Sequence, residues 1–170
     1  MSSSPNILLW NTRGWHLHAK VDECRSLIND HHLDIVCLVE TTPLDQQLLP
    51  FQIHSGETHN FNISIGGRIL IKWNASLFSL QTIQASPQFI HCLLSGQSTP
   101  PFYLTVVYAF HDSSSKASLW ADLAKLNPTN NHPWLMVGDL NRGPQRGLTP
   151  WRNEVETLHR GAISNSFMTS

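Results

Sequence analysis

"PWLMVGDLNRGP" (133–144) decides how this chain is read. Trp134 to Val137 is continuously apolar and bounded by Pro133 and Gly138, the signature of a buried strand. The strand opens into Asp139, Leu140 and Asn141, a carboxylate and a carboxamide on alternate residues, and then into Gly143–Pro144. Alternate residues of an extended segment share a side, so both polar groups are expected to face the same way.

Two more strands end in the same manner. "PNILLWNTRG" (5–14) is an apolar run broken by Asn11, and "LDIVCLVE" (33–40) is a buried strand ending in Glu40. Between them Val21, Cys24, Leu27 and Ile28 recur at spacings of three and four, one face of an amphipathic helix over Ala19–His31 that His31–His32 ends. Strand, helix, strand is an α/β unit. In a layered α/β protein, polar residues at neighbouring strand ends gather at one rim of the sheet, where ligands bind. Taken singly, Asn11 also reads as a turn residue, Glu40 as a solvated strand end, Tyr108 as core, and Asp139 with Asn141 as an Asx-turn.

The middle of the chain is β-rich: "FNISI" (61–65), "RILIKW" (68–73), "LFSLQTI" (77–83), "QFIHCLL" (88–94) and "FYLTVVYAF" (102–110), with turns at Gly66–Gly67 and Ser95–Pro101. A second helix is expected to start with Ser114 or Ser115 as cap and to bury Ala117, Trp120, Leu123 and Ala124. Thr149–Pro150 is placed to cap a last short helix through Leu158, followed by a frayed tail. Trp10, Trp73, Trp120 and Trp134 are expected in the core. No repeat or linker divides the chain, which reads as one domain over 1–160 with a tail over 161–170.

Composition narrows the function. Of 170 residues 41% are apolar and 14% charged, too apolar for a disordered chain, and the net charge is −1. The cations are scattered apart from a loose group at Arg142, Arg146, Arg152 and Arg160, so any nucleic acid would be gripped weakly. Cys24, Cys37 and Cys92 lack CxxC spacing and read as buried free thiols, and the ten histidines form no HExxH pattern. No signal peptide or membrane span is evident, which points to a soluble protein of the nucleus or cytoplasm with no membrane partner.

The strings "WNTRG", "LDIVCLVET", "GGRILIKW", "FYLTVVYAF", a helix containing "LW", and "PWLMVGDLN" follow in that order from about residue 5 to about residue 145. In this the chain resembles the endonuclease/exonuclease/phosphatase superfamily. It looks most like the apurinic-endonuclease-like domain of plant non-LTR (long interspersed) retrotransposons. The resemblance implies a four-layer sandwich of two packed mixed sheets flanked by helices, and a Mg²⁺- or Mn²⁺-dependent phosphodiesterase acting on DNA. It implies that Glu40 is the main metal ligand and that Asn11 contacts the scissile phosphate or orders the metal site. Tyr108 would hydrogen-bond the phosphate, Asp139 would activate the attacking water, and Asn141 would polarise the phosphate.

The chain departs from that pattern in places. The family carries an Asp-His pair on later strands, whereas after Asn141 this sequence has no aspartate and one histidine, His159, followed by Arg160. Its only Asp-His pair is Asp30–His31, on the first expected helix. Arg13 stands where some relatives have a second metal-binding acid, and Lys116 where an arginine is frequent. The expectation is a domain truncated at its C-terminus, with an incomplete second sheet and edges open to self-association. The alternatives to a working nuclease are a non-catalytic remnant or binding module of the same fold, and a lipid or sugar phosphatase.

Overall fold

The computed structural model describes residues 4–13, 18–41, 54–63, 66–126 and 131–141, with the backbone of Glu156–His159 and Ala162–Asn165. The apolar runs form strands that sort into two four-stranded sheets. In the first, β1 (Ile7–Asn11), β2 (Ile35–Val39), β4 (Ile69–Trp73) and β3 (Gly56–His59) lie in that order. In the second the order is β5 (Phe78–Ser86), β6 (Phe89–Gly96), β7 (Phe102–Tyr108) and β8 (Trp134–Asp139). The pairs β1/β2 and β7/β8 are parallel and the other pairs within these sheets antiparallel, so both sheets are mixed.

Alternation along each strand builds three apolar layers. Ile35, Cys37 and Val39 of β2 and Ile69 and Ile71 of β4 meet Ile90, Cys92, Leu94, Leu104, Val106 and Val137 between the sheets. The intervening Val36, Leu38 and Leu70 point outward against Val21 and Cys24 of α1 (His18–His31). On the far side Phe89, Val107 and Met136 receive Leu119, Leu123 and Leu126, from and just after α2 (Ser113–Lys125). Each fully buried Leu, Ile or Val contributes roughly 1.5–3 kcal/mol. The result is the expected α/β sandwich, helix, sheet, sheet, helix. The α1 face is as expected, and the chain leaves that helix through His32 at φ 49°.

Several local expectations are corrected. The expected strand at 61–65 is a turn over 61–63, with 64–65 outside the described residues. The strand here is instead β3, whose short polar sequence GETH pairs with β4. The cap of α2 is Asp112, whose carboxylate accepts from the Ser115 amide at 2.7 Å and the Ser114 hydroxyl at 2.8 Å, holding its pKa down at about 2. The buried stripe of α2 is Leu119 and Leu123, so Trp120 is 47% exposed and Ala117 and Ala124 face outward. Trp10, Trp73 and Trp134 are half-buried at core margins. The start of the last expected helix, Thr149–Pro150, lies outside the described residues. Its end is strand: β9 (Glu156–His159) and β10 (Ala162–Asn165) form an antiparallel pair, the second of them inside the expected tail, with β9 beside β8. Among the described residues no helix is long and apolar enough to cross a membrane.

Candidate active site

Parallel pairing brings strand ends together. Asn11 pairs with Val39 at the ends of β1 and β2, and Tyr108 pairs with Asp139 at the ends of β7 and β8. β1 and β8 are the outer strands of their four-stranded sheets, and face packing sets them side by side. The three strand-end residues singled out from the sequence therefore meet across the sandwich.

The junction is Asn11. Its amide Nδ2 donates to Glu40 Oε1 at 2.9 Å and to Asp139 Oδ2 at 2.7 Å, using both hydrogens of the group. Its Oδ1 accepts from the Arg13 backbone at 3.1 Å. Two carboxylates from different sheets thus share one neutral donor, half-buried, where their charges repel. Glu40 adopts φ 58°, an uncommon conformation for a non-glycine residue. Its successor Thr41, fully buried, holds it there: Thr41 N and Oγ1 both donate to the Arg68 carbonyl, at 3.2 and 3.1 Å.

On the second sheet, Asp139 Oδ1 accepts from the Asn141 amide N–H at 2.9 Å. Asn141 has φ 44°, so the segment turns after Asp139 and the expected simple extended arrangement does not hold. The Asx-turn and the shared site are both present. Asn141 Nδ2 donates to the Ala109 carbonyl, and the Tyr108 hydroxyl interacts with the side chains of both Asn141 and Glu40. Burial and the neighbouring Glu40 charge raise the Tyr108 pKa, while Asn141 and the Arg68 guanidinium pull it partly back. The phenol is therefore a neutral donor at physiological pH. All five expected site residues, Asn11, Glu40, Tyr108, Asp139 and Asn141, lie within one connected cluster.

Further residues hold these segments in place. Gly138 is required because a Cβ there would lie 2.3 Å from the Val107 carbonyl oxygen across the β7/β8 pair. Buried Gln88 accepts from the Phe110 amide at 2.8 Å and donates to the Ser115 carbonyl at 2.9 Å, fixing the chain after Tyr108 to the start of α2. Lys20 of α1 donates to the Thr12 carbonyl, and Lys116 of α2 donates to the Asn141 carbonyl. Each helix thus steadies one strand-end segment. Asp30–His31 is elsewhere: the His31 carbonyl accepts from Asn6 Nδ2 at 3.5 Å, at the opposite end of β1 from Asn11.

The donor set fits a hard divalent cation. Glu40 and Asp139 offer carboxylate oxygens, and among the described residues no cluster of three His, Cys, Asp or Glu side chains exists. Carboxylate oxygens are the donors that a hard divalent cation takes. Cys37 and Cys92 lie deep between the sheets, and burial raises their pKa values strongly, so neither is a thiolate ligand.

Residues 8–163 match the family described as Endonuclease/Exonuclease/phosphatase. No curated protein matches the chain. Among solved structures it is similar to D. rerio TDP2 complexed with single-strand DNA product, at 16% identity over 82% of this chain and 62% of that one, with a TM-score of 0.63. It is similar to the endonuclease domain of TRAS1, a telomere-specific non-LTR retrotransposon, at 11% identity, 82% and 62% coverage and a TM-score of 0.58. It is also similar to a mannosyl-6-phosphatase of Bacteroides thetaiotaomicron VPI-5482, at 12% identity, 81% and 66% coverage and a TM-score of 0.58. At these identities the likeness establishes the fold. The chain spans less than two thirds of the length of the TDP2 and TRAS1 chains and 66% of the phosphatase chain.

Proposed function

The chain belongs to the endonuclease/exonuclease/phosphatase family, and on that premise we propose that it is a Mg²⁺-dependent phosphodiesterase domain of the retrotransposon endonuclease type that nicks DNA. The observation that carries this reading is the Asn11 amide bridging Glu40 and Asp139, with Tyr108 and Asn141 completing the cluster. The strings "WNTRG" and "GGRILIKW" support the plant non-LTR branch, and a nuclear or cytoplasmic setting is part of the same reading.

In this reading Glu40 holds Mg²⁺ or Mn²⁺, and the family generally works with divalent ions. When bound, the ion supplies charge neutralisation to the phosphate. Asp139 takes a proton from the attacking water on a carboxylate lone pair that neither Asn11 nor Asn141 occupies. Asn11 keeps Asp139 and Glu40 in register. The neutral Tyr108 hydroxyl donates to a phosphate oxygen, and the Asn141 amide leaves the Ala109 carbonyl to do the same.

A second reading has its own support: the only Asp-His pair is Asp30–His31, at the far end of β1. A domain with this cluster but without the family's Asp-His pair would bind metal and DNA without turnover, since catalytic units act non-additively. A phosphatase of lipids or sugars is the third reading within the family.

The test of the shared premise is the melting temperature of the folded chain titrated with Mg²⁺. A ligand that binds only the folded form stabilises it. A rise in the wild type that Glu40→Ala abolishes supports the site. No rise in the wild type defeats both the enzyme reading and the metal-binding one.

A further inference from the structure

Arg68 borders the cluster, and the proposed chemistry gives its side chain no role. Its backbone position is set tightly. Val39 pairs with Ile69 in the antiparallel β2/β4 ladder, so the next rung outward places Arg68 opposite Glu40. Its carbonyl receives both the amide and the hydroxyl of Thr41. Gly67 before it packs against the Asn60 carbonyl so closely that a Cβ would lie 2.1 Å from that oxygen. The side chain is exposed at the rim, and its charge reaches the Tyr108 hydroxyl. Among the described residues it makes no ion pair: the salt bridges are Arg25–Asp22, Lys72–Glu57 and Lys125–Asp122.

A cation whose backbone is held opposite Glu40, exposed to solvent and without an ion pair among the described residues, suits an anionic ligand group. In the phosphodiesterase reading Tyr108 and Asn141 would meet the phosphate at the centre of the cluster. A guanidinium at the rim is placed for a different anion on the same ligand, a role its bidentate fork fits. Resting on the phosphodiesterase reading above, we propose that Arg68 binds a phosphate flanking the scissile one, and so selects a polyanionic nucleic-acid strand over a substrate with a single phosphate. The low charge of the rest of the surface makes one such contact weigh heavily, because affinity for nucleic acid scales with the number of phosphates neutralised.

The experiment compares wild type, Arg68→Ala and Arg68→Lys for binding to a fluorescein-labelled, cleavage-resistant phosphorothioate duplex in Mg²⁺ across a salt series. Melting temperatures check that the exposed substitutions leave the fold alone. Arg68→Ala is expected to weaken binding about tenfold at low salt and to make the salt slope shallower by about 0.9, the loss of one phosphate contact. Arg68→Lys is expected to keep the slope and lose part of the affinity. Equal binding and equal slope for Arg68→Ala, with the wild type binding normally, overturns the role of Arg68 and leaves the phosphodiesterase reading standing. A wild type that melts higher in Mg²⁺ but binds no duplex overturns the nucleic-acid assignment of Arg68 and points the metal site towards a single-phosphate substrate.

Discussion

Asn11 and Asp139 lie 128 residues apart in sequence and 2.7 Å apart in space, Nδ2 to Oδ2. That bond crosses from the first sheet to the second, and the same nitrogen also reaches Glu40, so one amide links the two carboxylates. Replacing the donor with an acid removes both bonds and adds a third negative charge. Asn11→Asp is therefore expected to cost about 1–3 kcal/mol in metal-free buffer at neutral pH, and divalent ions should restore much of the loss. Melting curves with chelator and with Mg²⁺ check this. An equal deficit in both conditions contradicts the placement of a cation among these side chains.

Gly138 lets β7 and β8 close just before Asp139. The Gly138→Ala methyl group would strike the Val107 carbonyl at 2.3 Å, a backbone atom that cannot rotate away. Overpacking of this kind costs about 1–3 kcal/mol. Denaturant titration should show that loss, with unchanged midpoint arguing that the strands are not held at this separation.

Lys72 is 3% exposed, and its ammonium meets Glu57 Oε2 at 3.0 Å on the outer face of the first sheet. A buried cation stripped of its partner is costly, whereas an apolar side chain of similar length is tolerated. Glu57→Gln is thus expected to destabilise more than Lys72→Met. Because Glu57 is about one-third exposed, solvent screening limits the Glu57→Gln effect to roughly 1–2 kcal/mol. The reverse order in melting temperature would contradict the arrangement.

His91 is buried on the outer face of the second sheet, with Nδ1 2.8 Å from Thr105 Oγ1 and its ring stacked on Tyr103. Burial lowers its pKa below the ordinary 6.5. As pH falls below 6.5 the unfolded chain takes up a proton before the folded one does, so stability present above 6.5 declines until the folded value is passed. His91→Gln, which keeps a partner for Thr105 without titrating, should flatten the stability profile just below pH 6.5. An unchanged slope would assign the pH dependence elsewhere.

The parts of the fold legible in the sequence were those where burial is two-sided. β2, β4, β6 and β7 are apolar runs because one set of alternate residues fills the inter-sheet core and the other set meets a helix or covers an outer face. β3 is not legible because GETH is short and polar, and its stability comes from pairing with β4, including Glu57 opposite Lys72. The face of α2 is not legible because Trp120 is the largest apolar residue in the helix yet is exposed, while Leu119 and Leu123 do the packing. Within the cluster, Asn11, Glu40 and Asp139 were legible as polar groups closing apolar strands. The bonds of Gln88 and Lys116 to backbone carbonyls 27 and 25 residues away were not, since no spacing records them.

The most direct measurement is the nicking of supercoiled plasmid in Mg²⁺ by the wild type and by Asp139→Ala, each first shown to be folded by circular dichroism. The account predicts open-circular product with the wild type, none with chelator, and a loss of at least about 10²-fold with Asp139→Ala. Nicking that persists undiminished in Asp139→Ala, or a folded, Mg²⁺-binding wild type that leaves the plasmid intact, would contradict it.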